Sequence, residues 1–119
     1  MLFRSPDFYE YFAVKATPNP WIMKSLHNVH VGADCSSMAE LILAEAVGLS
    51  GEEIVFSSND TPDEEFIKAN ELGAIINLDD ISNLNDLERL GIIPERICFR
   101  YNPGPDLARG NSIDRKSVV

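Results

Sequence analysis

The sequence predicts an α/β fold, a partial (β/α)8 TIM barrel holding about the first five strands and four helices. Strand-like apolar runs alternate with helix-spaced runs four times before a fifth strand-like run, and the connections between them are short. That order fits parallel strands joined by right-handed helical crossovers. Parity within the strands then favours a barrel. In the second strand Val29, Val31 and Ala33 oppose His30, Gly32 and Asp34, and in the fifth Ile97, Phe99 and Tyr101 oppose Arg96, Cys98 and Arg100. One apolar face against one small or polar face is expected where helices cover only the outside of a barrel. The competing architecture, an open doubly wound sheet, carries helices on both faces and is expected to be apolar on both. The fourth strand fits less cleanly, because Ile75 shares its face with Asn77 and Asp79.

The first strand is expected over residues 11–15, with Tyr11, Ala13 and Lys15 on one face and Phe12 and Val14 on the other. Pro18 and Pro20 break the run, and Trp21, Ile22, Met23 and Leu26 recur at helical spacing up to about His27. A second strand over 30–34 leads into Ser36 and Ser37, which can cap a helix over 38–47 that stops at Gly48. The third strand, 54–57, passes through a polar loop into a helix over 63–72 ending at Gly73. A fourth strand over 74–79 precedes a helix over 81–90 that carries Leu84, Leu87 and Leu90 and ends at Gly91. The fifth strand, 96–101, is cut off by the Asn-Pro-Gly-Pro run at 102–105.

Composition narrows the function. The 119 residues are 45% hydrophobic and carry a net charge of −9 with a pI near 4.5. No basic face exists to neutralise phosphates, so neither nucleic acid nor an anionic membrane is expected as partner, while a small phosphate-bearing molecule stays compatible. Cys35 and Cys98 lie far apart without metal-ligand spacing, as reduced thiols of a cytoplasmic protein would, and no metal is expected. The first residues lack a signal-peptide core, and no apolar run approaches the roughly 20 residues that span a bilayer.

On the barrel reading Lys15, Asp34, Asp79 and Arg100 all fall at the carboxyl ends of their strands on the inward face, where barrel active sites are built. A buried lysine is costly unless its lowered pKa serves a nucleophile or a Schiff-base former. Lys15 taken alone also fits a side chain reaching into solvent from a strand end. Asp34 and Asp79 also fit as caps of the helices that follow them, and Arg100 as a partner of either.

The stretch over residues 11–17, followed by Pro18-Asn19-Pro20, resembles the tyrosine-alanine-valine-lysine-alanine-asparagine signature of the fold-type III, pyridoxal-phosphate-dependent decarboxylases acting on ornithine, arginine and diaminopimelate. Gly32-Ala33-Asp34-Cys35-Ser36-Ser37-Met38-Ala39-Glu40-Leu41 resembles the family's second-strand segment, 52–56 its third strand, and 97–104 its fifth. The Asn-Pro-Gly at 102–104 and Gly110-Asn111-Ser112-Ile113 are most similar to diaminopimelate decarboxylases. The resemblance runs from about Asp7 to Ile113. It implies an alanine-racemase-like barrel, pyridoxal 5'-phosphate as cofactor, Lys15 holding that cofactor covalently, and Asp34, Glu40 and Arg100 lining or ordering its site. The implied reaction converts meso-diaminopimelate to L-lysine and carbon dioxide, in a protein that is a homodimer when complete. Decarboxylation of another basic amino acid or of carboxynorspermidine is the alternative within the family. From a different class comes a non-catalytic module that binds a full-length homologue through an exposed strand edge.

The sequence departs from the family at Thr17, where asparagine is usual, and neither His27 nor His30 falls at the family's ring-stacking position. The glycine-rich phosphate loop, the acidic partner of the ring nitrogen and the second β domain do not occur in it. About five of eight strands cannot close a barrel, so the 119-residue chain alone is expected to be inactive. Asp114-Arg115-Lys116-Ser117 and Leu2-Phe3-Arg4-Ser5 can both be encoded by one synthetic adapter read from opposite strands, GATCGGAAGAGC and its reverse complement. The expectation is therefore a gene fragment over residues 6–113, the amino-terminal part of the cofactor-binding barrel, with 1–5 and 114–119 as non-native flanks.

Overall fold

The computed structural model describes residues 8–101. The strands are β1 (Tyr11–Ala13), β2 (Gly32–Cys35), β3 (Ile54–Ser57), β4 (Ile75–Leu78) and β5 (Ile97–Phe99). Between them lie the helices α1 (Pro20–His27), α2 (Met38–Val47), α3 (Asp63–Glu71) and α4 (Asn83–Arg89). All strand pairs are parallel, and spatial order follows chain order from β1 to β5. A doubly wound sheet reverses its strand order at a switch point; this sheet does not, as the first part of a barrel requires.

Register assigns the two faces. Ala33, Cys35, Ile54, Phe56, Ile76 and Leu78 share one parity and are all buried. They pack with Leu41 and Ala44 of α2, Phe66 and Ala69 of α3 and Leu87 of α4 in one hydrophobic core. Phe56 meets Phe66 edge-on, ring centroids 6.3 Å apart at 79°. Full burial of each such large side chain stabilises by about 1.5–3 kcal/mol, which makes this one-sided layer the main source of stability. The opposite parity brings Ala13, Asp34, Val55 and Ile75 into one row and Ser57, Asn77 and Cys98 into the next. Ile75 therefore does share a face with Asn77, and this inner face mixes half-buried apolar and polar groups. In β5, Ile97 and Phe99 extend the outer apolar face but remain 40% and 52% exposed, because no helix lies over them among the described residues.

Several boundaries differ from the sequence expectation. Strand β1 stops at Ala13, and Val14–Ala16 form a 3-10 turn closed by Thr17 N–H donating to Val14 O at 3.0 Å. Val14 is fully buried, so the turn serves the core while ending the pairing before Lys15. Helix α1 begins at Pro20, one residue before the helical spacing read from Trp21, since the first helical position needs no N–H, and the Asn19 side chain accepts from Trp21 N at 2.9 Å and Ile22 N at 3.3 Å. His30 adopts φ 62° in the turn after α1, which delays β2 to Gly32. Helix α4 begins at Asn83, not 81: Asp80 Oδ1 accepts from Ser82 N at 2.7 Å and holds a turn there. A 3-10 turn at Gly51–Glu53, with a Ser50–Glu53 capping box, has no counterpart in the sequence reading.

Gly32 is a steric requirement. A β-carbon there would stand 2.6 Å from Glu53 O and 2.7 Å from the Tyr11 ring. Gly32→Ala is expected to destabilise the protein by about 1–3 kcal/mol, read as a lower denaturant midpoint at unchanged slope. An unchanged midpoint would show that the β1–β2 junction is not this tightly packed.

Candidate functional site

At the carboxyl end of β2, Asp34 points to the inner face in register with Ala13 and Val55. Its side chain is half-buried, and Oδ1 is buried without a hydrogen-bond partner. Burial pushes the carboxyl above its ordinary pKa. The Ser57 hydroxyl beside it, then the Lys15 ammonium and the Arg100 guanidinium, pull it back, and the Glu40 carboxylate adds to the rise. The fold thus brings Lys15, Glu40 and Arg100 within electrostatic reach of Asp34 at one end of the sheet.

The four groups are held differently. Lys15 is exposed on the 3-10 turn after β1, which matches the reading of a side chain reaching into solvent and not that of a buried strand lysine: with pairing ended at Ala13, no neighbouring strand among the described residues covers its stem. Glu40 lies in the first turn of α2, where Oε2 accepts from Ser36 N at 2.6 Å and from Ser36 Oγ at 3.0 Å. Its carboxylate fastens the β2–α2 loop. Arg100 follows β5, anchored by its N–H donating to Leu78 O at 2.9 Å. Its Nη1 lies 3.2 Å from Asp79 Oδ1 and 3.0 Å from Asn59 Oδ1. Arg100 therefore pairs with Asp79, and Asp34 keeps no direct salt bridge among the described residues.

The capping roles open to Asp34 and Asp79 belong to neighbours. Ser37 Oγ accepts from Glu40 N at 3.4 Å as the cap of α2, and Asp80 orders the turn before α4. Asp34 is left with a buried oxygen that no local structural duty explains. Sequence reasoning passed over Ser57, Asn77 and Asn59. Ser57 and Asn77 share Asp34's inward parity, and that signal could have found the first two.

Both histidines lie away from these groups: His27 Nε2 meets Glu53 Oε2 at 2.6 Å beside the amino end of β3, and His30 lies in the turn before β2. Cys35 is buried, which pushes its thiol pKa up to about 12 and makes it a packing residue, while Cys98 is exposed. No metal-holding group of His, Cys, Asp and Glu occurs among the described residues, and no helix among them is long and apolar enough to cross a membrane. The segments at 102–105 and 110–113, and the boundaries at 1–5 and 114–119, lie outside the described residues.

An unreversed parallel sheet, helices on its outer face and an amine, two carboxylates and a guanidinium at its carboxyl end define part of a (β/α)8 barrel of the enzyme type. Residues 4–115 match the family described as pyridoxal-dependent decarboxylase, pyridoxal binding domain, and the chain belongs to that family. It is 40% identical over 111 residues to Protein TabA of Pseudomonas amygdali pv. tabaci, covering 93% of this chain and 26% of that protein. Over 93 residues it is 31% identical to diaminopimelate decarboxylase of Thermoplasma acidophilum, covering 78% of this chain and 22% of that one. The diaminopimelate decarboxylase of Helicobacter pylori complexed with L-lysine superimposes with a TM-score of 0.74 at 31% identity, over 81% of this chain and 25% of that chain. The chain thus spans about a quarter of the length of the relatives it matches.

The residues fit the family's cofactor, pyridoxal phosphate. An exposed amine is open to an aldehyde, and the orphaned Asp34 Oδ1 has an acceptor to offer a bound donor.

An aspartate with a raised folded-state pKa binds more protons folded than unfolded between its two pKa values, so it lowers stability as pH rises through that window. Asp34→Asn is expected to be more stable than the parent at neutral pH, with the advantage shrinking as pH falls toward the ordinary carboxylate value of 3.8. Denaturant midpoints across that range test it; an advantage independent of pH would exclude ionisation of Asp34 as its source.

Proposed function

We propose that the complete protein is a pyridoxal-phosphate-dependent amino-acid decarboxylase acting on meso-diaminopimelate, giving L-lysine and carbon dioxide. The observation that carries this reading is the unpartnered Asp34 Oδ1 within electrostatic reach of the Lys15 amine and the Arg100 guanidinium. The substrate rests on the relatives: curated diaminopimelate decarboxylases at 30–33% identity recur among them, and the Helicobacter pylori structure carries L-lysine, the proposed product. Ornithine decarboxylases of Nicotiana at 32% identity over 68 residues support the alternative of another basic amino acid.

In this reading Lys15 would hold the cofactor through its ε-amine. When bound, pyridoxal phosphate supplies the electron sink for the pair left behind when carbon dioxide departs. Asp34 holds an acceptor oxygen toward the site. Glu40 keeps the β2–α2 loop, and with it the end of β2, in place through Ser36. Arg100 brings a positive charge that Asp79 balances and orients.

Lys15→Ala in the full-length enzyme is expected to abolish the visible absorbance of bound cofactor and to lower turnover of meso-diaminopimelate by at least about 100-fold. Full turnover in that variant would overturn the assignment of Lys15. Faster turnover of ornithine or arginine than of meso-diaminopimelate by the parent would overturn the substrate.

A further inference from the structure

Ser57 is the one buried polar residue among the described residues, and the proposed chemistry gives it no task. It closes β3 on the inner face, in register with Asn77 of β4, and Asn77 Nδ2 donates to Ser57 Oγ at 3.0 Å. A hydroxyl has one proton to give and two lone pairs to fill. The amide nitrogen donates into one lone pair and has no lone pair of its own to accept the serine proton in return, so that proton is directed elsewhere. Asp34 offers an acceptor on the same face of the neighbouring strand. Its register partner Val55 lies two residues before Ser57 on the same face, and the Ser57 hydroxyl counters the effect of burial on the Asp34 carboxyl.

We propose that Asn77 and Ser57 are positioning residues that form a one-way hydrogen-bond relay, Asn77 to Ser57 to the Asp34 carboxyl, fixing that carboxyl so that Oδ1 stays available to a donor on the inner face. The proposal rests on the reading of Asp34 as a cofactor-site residue. The relay is uncharged, whereas the other groups acting on Asp34 carry charge: Lys15 from the turn after β1, Arg100 from beyond β5 and Glu40 from α2. Removing the serine proton therefore alters how Asp34 is held without altering the charges around it.

The test is a pH titration of Asp34 by infrared spectroscopy in full-length enzyme with 13C-carboxyl aspartate, cofactor removed, the band being assigned by its loss in Asp34→Asn. Ser57→Ala is expected to raise the Asp34 midpoint by about one pH unit, because the ionised carboxylate loses a donor, and Ser57→Thr, which keeps the hydroxyl, is expected to restore it. Asn77→Leu shifts it in the same direction by less, and it serves as the test if Ser57→Ala yields no folded protein. In the cofactor-loaded enzyme, the pH profile of the cofactor's visible absorbance moves with the same variants. An Asp34 midpoint unmoved by loss of the serine hydroxyl, or not restored by threonine, overturns the relay. A moved midpoint with an unmoved absorbance profile overturns its role in the cofactor site. Failure of the functional reading is separate: Lys15→Ala would keep bound cofactor and activity, while the cofactor-free titration still reports on the relay.

Discussion

The structure depends on burial being one-sided. Helices α1 to α4 give the sheet a dry outer face, where Ala33, Cys35, Ile54, Phe56, Ile76 and Leu78 reach the core, and in doing so they spend the apolar residues of each strand on one parity. The other parity is then free of that demand. It carries Asp34, Ser57 and Asn77, groups that a sheet covered on both faces could keep only at a desolvation cost. The polar inner face is a consequence of how the core is built.

The same packing fixes where the chemistry can stand. Parallel strands all point their carboxyl ends the same way, so the turn after β1, the end of β2, the first turn of α2 and the residue after β5 meet at one rim without any of them being near in sequence. Charges at that rim are sorted by short local contacts. Glu40 is engaged by Ser36 and Arg100 by Asp79 and Asn59, which leaves Asp34 as the carboxyl whose environment is set by burial, by the Ser57 hydroxyl and by more distant charges. A pyridoxal-binding barrel needs such asymmetry, because groups that neutralise one another completely have nothing left to offer a ligand.

Much of this was legible in the sequence. Alternation and helical spacing located all five strands and four helices, glycines at 48, 73 and 91 marked turns that do adopt positive φ, and parity put Asp34 inward. What misled was extent. The apolar run at 11–15 has strand periodicity to its end, yet Val14 turns into the core and leaves Lys15 on a 3-10 turn, exposed. Asp79 and Arg100 each had several plausible partners, and only distance selects one. Ser57 and Asn77 carry no motif; their significance lies in a cross-strand contact between residues 20 apart.

The sequence by itself determined the order and parity of the elements and the chemical identity of the groups, because periodicity and residue type are local properties. Tertiary structure decided which groups meet, which oxygen stays unpaired and which carboxyl burial perturbs. Those depend on distances of a few ångströms between segments tens of residues apart, and such distances exist only once the strands are paired and the helices have closed over one face.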